Sequence, residues 1–141
     1  MNAIVTLLII FILSFTGSIR AQHNVLKYPT TEAKIAYAKK NVLMGLRSGN
    51  NGLIEASLIL IARIKMNFPE TNIAEVKPVV DSIAFTKSSG ALQYEAYLTT
   101  NICSDPEWFS ADTTVRHSRP EGFFLSVSQR LQSKLFGMSS F

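Results

Sequence analysis

One stretch, Gly52 to Lys65 (GLIEASLILIARIK), constrains the fold most, because it is too apolar to be covered by a single neighbour. Only Glu55, Arg63 and Lys65 are charged in it. Ile54 and Leu60 are apolar but lie off its main stripe, so we expect a core helix covered on both sides. The stripe at helical spacing is formed by Leu53, Ser57, Leu58, Ile61 and Ile64.

A membrane span fits this stretch less well, because a span needs roughly 20 apolar residues and would draw Glu55 and Arg63 into hydrocarbon. The polar turn before it, Ser48-Gly49-Asn50-Asn51, predicts a helix start with Asn51 as the N-cap. An earlier helix is predicted from about Glu32 to Arg47. Because the connection is short, the two helices should pack antiparallel. The buried stripe predicted for the earlier helix is Ile35, Ala38, Val42, Leu43 and Leu46.

Two further helices are predicted downstream. Pro78 disfavours a long helix through it, so the regular part should run from Pro78 to Phe85 after a short turn or bend at Lys77. A fourth helix is predicted from about Ala91 to Ile102. The third helix should point Val79, Val80, Ile83 and Ala84 inward, and the fourth should carry Leu92, Ala96 and Thr100 on one stripe.

These four helices repeat a pattern. Val42-Leu43-x-x-Leu46 matches Val79-Val80-x-x-Ile83 at an offset of 37 residues, and a second set matches at an offset of 39. That second set pairs Leu53, Ser57, Leu58 and Ile61 with Leu92, Ala96, Tyr97 and Thr100. A period near 38 with a small residue in the middle of each second helix resembles the HEAT and armadillo class of paired-helix repeats over residues 31–103. The resemblance implies an all-α fold of five or six helices, stacked as antiparallel pairs in a short α-solenoid.

The C-terminal segments, residues 104–136, are predicted to form a degenerate third pair, followed by a tail over residues 137–141. Ser104-Asp105-Pro106-Glu107 is a helix start. Ser110 to His117 is predicted to be a turn or loop, and Ser118-Arg119-Pro120-Glu121 starts the last helix. The apolar stripe of that helix is predicted to be Phe124, Val127, Leu131 and Leu135.

The N-terminal sequence has the features of an export signal. Ala3 to Thr16 is an apolar run of 14 residues, the length of a signal-peptide core, and it is followed by Gly17-Ser18-Ile19-Arg20-Ala21. We predict a signal peptide over residues 1–21, cleaved after Ala21, and a linker over residues 22–30. The protein would then be periplasmic, cell-surface or secreted. An uncleaved N-terminal membrane anchor is the alternative interpretation.

Charge and cysteine content exclude some classes of function. Loss of Arg20 with the leader leaves 13 basic residues against 10 acidic ones, a formal net charge of +3. The basic residues are scattered among acids, so we expect no nucleic-acid partner. Cys103 is the single cysteine in the sequence, so no disulfide within the chain is possible.

No group of residues predicts a reaction. His23 and His117 have no metal-ligand neighbour at helical or loop spacing, and Asn101-Ile102-Cys103-Ser104 is typical of the end of a buried helix. We therefore expect no catalytic residue, no bound metal and no cofactor. A thiol-dependent enzyme with Cys103 as the nucleophile is the remaining enzymatic alternative.

Four residues are candidates for an interaction site: Trp108, Phe109, Arg130 and Lys134. The aromatic pair could be a binding hot spot, but large aromatic residues after a helix start more often close a core. Arg130 and Lys134 flank the stripe of the last helix, which as an isolated helix could lie on a membrane surface. We expect an exported, non-enzymatic binding or scaffold module with another protein as its partner. A peripheral membrane protein is the alternative.

Overall fold

The computed structural model describes residues 30–86 and 90–137. In these two ranges the chain forms seven α-helices and no strand, so the all-α prediction is confirmed. The described residues from Thr31 onward belong to one compact unit. The helices are α1 (Thr31–Leu46), α2 (Asn51–Asn67), α3 (Lys77–Phe85), α4 (Gly90–Ser104), α5 (Pro106–Ser110), α6 (Thr113–His117) and α7 (Phe123–Phe136), and a 3-10 turn (Pro120–Gly122) precedes α7.

Some predicted features lie outside the described residues. They are the signal peptide over residues 1–21, the linker up to residue 29, most of the break between α3 and α4, and residues 138–141 of the tail.

The turn between α1 and α2 fixes how the two helices meet. Gly49 has φ +71°, in the left-handed region that glycine favours. Asn50 caps α2 by accepting a hydrogen bond from the Leu53 amide at 3.1 Å. The prediction of Asn51 as the cap is wrong by one residue, because Asn50 has the extended backbone of an N-cap and Asn51 is already helical. With so short a turn, α1 and α2 pack as an antiparallel pair.

The connection from α2 to α3 is held by two lysines. The buried side chain of Lys65 donates to the carbonyl of Pro69 and, at 3.2 Å, to that of Thr71. Lys39 of α1 donates to the carbonyl of Asn72 at 2.9 Å. These charge-assisted hydrogen bonds satisfy carbonyl groups of the loop between α2 and α3 and hold that loop against α1 and α2.

Pro78 lies in the first turn of α3 and does not kink a longer helix. At that position its missing N–H is no loss, because the first amides of a helix have no acceptor within it. Of the four residues predicted to face inward, Val80 and Ala84 are buried, and Val79 and Ile83 are half-buried. Val79 and Ile83 pack against the same core as Val80 and Ala84, so the predicted inward face of α3 is confirmed.

Helix α2 separates two hydrophobic cores, as its all-round apolar character predicts. The N-terminal core consists of Val42, Leu46, Leu58, Ile61, Ile64, Ile73, Val76, Val80, Ala84 and Ala96. The C-terminal core consists of Ile59, Ala62, Met66, Leu98, Ile102, Phe109, Val115, Phe123, Val127 and Leu131. Full burial of one large aliphatic side chain contributes about 1.5 to 3 kcal/mol, so α2 stabilises both halves of the domain.

Helices α1 and α2 cross at very close range. A methyl group added to Gly45 would lie 2.0 Å from Oγ of Ser57 and 3.2 Å from the Leu53 carbonyl oxygen. Ser57 is 7% exposed, and Ala96, its predicted counterpart in α4, is fully buried. Both predicted small residues therefore face the interior, and Ser57 lies where a larger side chain would separate α1 from α2.

The helices pack in a definite order, and the burial pattern differs from the predicted repeat register by one residue. Helix α1 packs on α2, α3 on α4, and α2 on α4. By burial, Val42 and Leu46 of α1 correspond to Val80 and Ala84 of α3, an offset of 38 residues and not 37. The HEAT-like solenoid stays a prediction.

The C-terminal segments differ from the sequence prediction in two places. Residues 113–117, predicted as part of a loop, form α6, because the Asp112 carboxylate accepts the amides of Thr114 and Val115 at 2.8 and 3.3 Å. Short helices need such a cap, because the free-energy cost of forming the first turn exceeds the stabilisation from the few hydrogen bonds that follow. The predicted stripe of α7 is wrong at its C-terminal end, where Leu135 is 68% exposed. At the other end Phe124 is half-buried and packs against both cores, but the prediction omitted Phe123, which is fully buried. The buried stripe of α7 is Phe123, Val127 and Leu131.

Candidate functional site

The four predicted interaction residues come together where α5 meets α7. Trp108 lies under two cations, with the Arg130 guanidinium carbon 4.0 Å and the Lys134 Nζ 4.7 Å from its ring centroid. Phe109 is 1% exposed and meets Trp108 edge to face at 4.8 Å. We call Trp108, Arg130 and Lys134, with Asp105 and Asp112, the cation–Trp clasp.

Acidic residues complete this clasp. Lys134 donates to Asp105 at 2.8 Å, and Arg130 lies 3.7 Å from Asp112 and donates to the Trp108 carbonyl at 3.4 Å. The hydrogen bond from Lys134 lowers the pKa of Asp105. The cations and the indole face are thus used by contacts within the chain. This geometry supports the structural interpretation of Trp108 and Phe109, in which they close the core.

A different apolar surface is open to solvent. Met44 of α1 is 64% exposed, and Leu53 and Leu60 of α2 are 53% and 39% exposed. Ala56, between the two leucines on α2, is also exposed. We call these four residues the α2 outer face. Contiguous exposed apolar side chains of this kind are typical of interaction sites.

Two grooves border this face, and both are lined by Ala56 and Leu60. Each has a volume of about 440 Å³. The α1–α2 groove is lined by Asn41, Val42, Met44, Gly45, Ser48, Leu53, Ala56, Ser57 and Leu60. The α2–turn groove lies between α2 and the 3-10 turn and is lined by Gly52, Glu55, Ala56, Ile59, Leu60, Arg63, Pro120 and Glu121.

Charged side chains are found in the α2–turn groove. Arg63 donates from a terminal nitrogen to the Ser118 carbonyl at 2.6 Å, and its guanidinium carbon lies 5.3 Å from the Phe123 ring centroid. Arg63 therefore contacts the segment that connects α6 to α7 and the first residue of α7. Neither Glu55 nor Glu121 has an ion-pair partner among the described residues.

A third carboxylate, Glu95 of α4, interacts electrostatically with this region. Burial, and then the charge of Glu55, raises the pKa of Glu95. One carboxylate oxygen of Glu95 is buried and has no hydrogen-bond partner within the described residues. Glu55 and Glu121 thus line this groove together with one cation, Arg63, and Glu95 adds a further negative charge near Glu55.

Cys103 and His117 are the two candidates for reactive side chains that lie within the described residues. Burial raises the pKa of the Cys103 thiol to about 11, which disfavours the thiolate at neutral pH. His117 is exposed at the end of α6, and His23 lies outside the described residues. Within residues 30–86 and 90–137, no group of three or more histidine, cysteine or acidic side chains could hold a metal ion.

Sequence reasoning missed the α2 outer face. It placed Leu53 on the buried stripe and expected neighbours to cover Leu60, but both are exposed. The available signal was an excess of apolar residues on α2. Two cores account for two of its faces, and Leu53, Ala56 and Leu60 occupy a third.

Comparison with family models, with curated proteins and with solved structures found no match. None of the helices in the described part of the chain combines the length and the apolar character needed to cross a bilayer.

Proposed function

We propose that this chain is an exported, non-enzymatic helical module that binds another protein through the α2 outer face. The observation that carries the proposal is the continuous exposed surface of Met44, Leu53, Ala56 and Leu60 with a groove on either side. Stacked helix pairs commonly present such surfaces to other chains, and a HEAT-like arrangement would make α2 one of the partner-facing helices.

Site-specific photo-crosslinking in intact cells tests this proposal. A benzophenone side chain at position 60 should give a discrete protein adduct, and the additional change Leu53→Glu should abolish it. Phe85 of α3 is the matched control, because it is 71% exposed and apolar but lies on another helix. Equal adducts from positions 60 and 85, or none from position 60, would remove the α2 outer face as the binding surface. Thermal unfolding of each variant checks that the fold is intact.

Export is a separate part of the proposal and has its own test. The apolar run Ala3 to Thr16 followed by Ala21 supports cleavage after Ala21. The intact mass of the exported protein should correspond to a chain that begins at Gln22. A mass that includes Met1 to Ala21 would favour the N-terminal anchor.

A second candidate function, binding to a membrane surface through α7, is favoured by the exposed side chains near its end. Leu135 and Phe136 are 68% and 72% exposed. However, the apolar stripe of α7 lies in the C-terminal core, and Arg130 and Lys134 contact Trp108. Flotation with anionic liposomes tests this candidate. Loss of flotation on Leu135→Ser with Phe136→Ser would support it, whereas a wild-type chain that stays at the bottom of the gradient would rule it out.

A further inference from the structure

The α2–turn groove has a mainly apolar lining that also contains charged side chains. Ala56, Ile59, Leu60 and Pro120 supply the apolar lining, in a volume of about 440 Å³. Such a volume is sufficient for one or two aliphatic side chains, and an apolar cleft with a few polar groups is the usual form of a recognition site.

The charges of this groove are not balanced within the chain. Arg63 lines it as well and offsets one of the two carboxylate charges, because its partners, the Ser118 carbonyl and the Phe123 ring, are neutral. Its Nε is buried without a hydrogen-bond partner among the described residues. Glu55 and Glu121 have no ion-pair partner in the described part of the chain. The groove is therefore acidic on a protein whose formal net charge is +4.

Glu95 does not line the groove, but its negative charge acts on Glu55, which does. Its carboxylate lies close enough to Glu55 for the two charges to repel, and one of its oxygens is buried without a partner among the described residues. A cation placed near Glu55 would reduce that repulsion. Charge complementarity therefore selects a cationic ligand over an anionic or neutral one.

We propose that the α2–turn groove binds a partner segment in which an aliphatic side chain adjoins a lysine or arginine. The aliphatic group fills the floor formed by Ala56, Ile59 and Leu60, and the cation faces Glu55 and Glu121. This inference rests on the proposed function, since it specifies the chemistry of the protein that docks on the α2 outer face.

Fragments of matched length test the inference directly. The exported chain, labelled with ¹⁵N, is titrated with hexylammonium, hexanol and hexanoate, and amide shifts are followed by NMR. Hexylammonium should shift the amides of Gly52, Leu60 and Glu121 and should bind about fivefold more tightly than hexanol. Hexanoate should bind most weakly. The preference should fall in high salt, because the carboxylates are at the surface.

Two double variants connect the preference to the named carboxylates. Glu55→Gln with Glu121→Gln should reduce the advantage of hexylammonium over hexanol to less than about twofold. The matched control, Glu75→Gln with Glu107→Gln, removes two exposed carboxylates that do not line the groove and should leave the advantage unchanged.

The outcomes separate this inference from the proposed function. Equal binding of all three fragments would overturn the charge preference and leave the apolar docking surface standing. Tighter binding of hexanoate would overturn the inference and make Arg63 the determinant. If no fragment shifts any amide, the α2–turn groove is not a docking site. Crosslinking at position 60 would then still test whether a partner binds at the α1–α2 groove. Concentration-dependent dimerisation that protects the groove would assign it to a second copy of the chain and also overturn the inference.

Discussion

The two cores on either side of α2 differ in the kinds of side chain that fill them. Every buried member of the N-terminal core is aliphatic, whereas the C-terminal core contains Phe109 and Phe123 and has Trp108 at its edge. Phe124 packs against both cores. The N-terminal core joins α1 and α3 to α2 and α4, and the C-terminal core joins α5 and α6, which have five residues each, and α7 to the same two helices. Helices as short as α5 and α6 are marginal by themselves and depend on aromatic burial, caps and charge contacts.

The largest expected effect comes from a variant that tests whether the two cores can unfold independently of each other. Phe123→Ala removes a fully buried ring and should destabilise the domain by about 3 to 5 kcal/mol in chemical denaturation. Hydrogen exchange should accelerate first in α5, α6 and α7, with α1 and α3 still protected, because Phe123 belongs to the C-terminal core.

Leu58→Ala is the matched change in the N-terminal core and should cost about 2 to 5 kcal/mol. Exchange should then accelerate in α1 and α3 before α7. If hydrogen exchange accelerates in all helices at once in both variants, the two cores unfold as one cooperative unit. The proposed difference between them would then be wrong.

The close crossing of α1 and α2 is specific to the N-terminal side. Gly45→Ala would place a methyl group 2.0 Å from Oγ of Ser57 and should destabilise the domain by about 1 to 3 kcal/mol. Adding Ser57→Ala removes that oxygen and should recover part of the loss, a positive coupling in a double-mutant cycle measured by urea unfolding.

Gly52→Ala is the control for the effect of alanine itself. A methyl group at Gly52 would meet only Oδ1 of Asn50, at 3.5 Å, so the change should be neutral or stabilise α2 by up to about 1 kcal/mol. Equal effects of Gly45→Ala and Gly52→Ala would mean that the helices can move apart without cost.

The cation–Trp clasp predicts a smaller, pairwise effect on the C-terminal side. A double-mutant cycle of Trp108→Leu and Arg130→Met should give a coupling of about 0.5 to 1 kcal/mol, because the guanidinium covers the indole face. The same cycle with Arg116→Met is the control, since Arg116 is exposed on α6 and has no ring contact in the described structure. A zero coupling for Arg130 would reduce the clasp to aromatic burial alone.

The sequence predicted the long helices because their apolar periodicity is strong. The all-round apolar character of α2 correctly indicated cover on two sides, and the small residues Ser57 and Ala96 correctly indicated the interior. Errors fell where local signals compete. Asn50 and Asn51 are equally good caps by residue type, and only the backbone conformation distinguishes them.

The candidate site was less predictable than the fold. The contacts of Trp108 with Arg130 and Lys134 arise from packing between α5 and α7 and leave no pattern in the sequence. The α2 outer face was missed because hydrophobic periodicity cannot show whether a neighbour is present. Leu53 and Leu58 have the same side chain, and only the fold exposes the first.

The smallest expected effect is the response of two carboxylates to acid, which should have opposite signs. The pKa of Asp105 is lowered by its hydrogen bond with Lys134, so its stabilising contribution is present above the unfolded pKa and is lost as the pH falls through the folded pKa. The pKa of Glu95 is raised by burial and Glu55, so its destabilising charge is present at neutral pH and disappears in acid. Thermal unfolding should therefore find Asp105→Asn less stable and Glu95→Gln more stable than the parent at pH 7.

Both differences should shrink as the pH falls, that of Glu95→Gln first, because its raised pKa titrates at a higher pH than the lowered pKa of Asp105. Glu55→Gln should show part of the Glu95→Gln effect, since it removes the second cause of the raised pKa and leaves burial. A Glu95→Gln variant that is less stable than the parent at pH 7 would mean that a cation already neutralises this side of α2. The carboxylates of the α2–turn groove would then already be paired with a cation in the free protein. They could not favour a cationic partner over a neutral one.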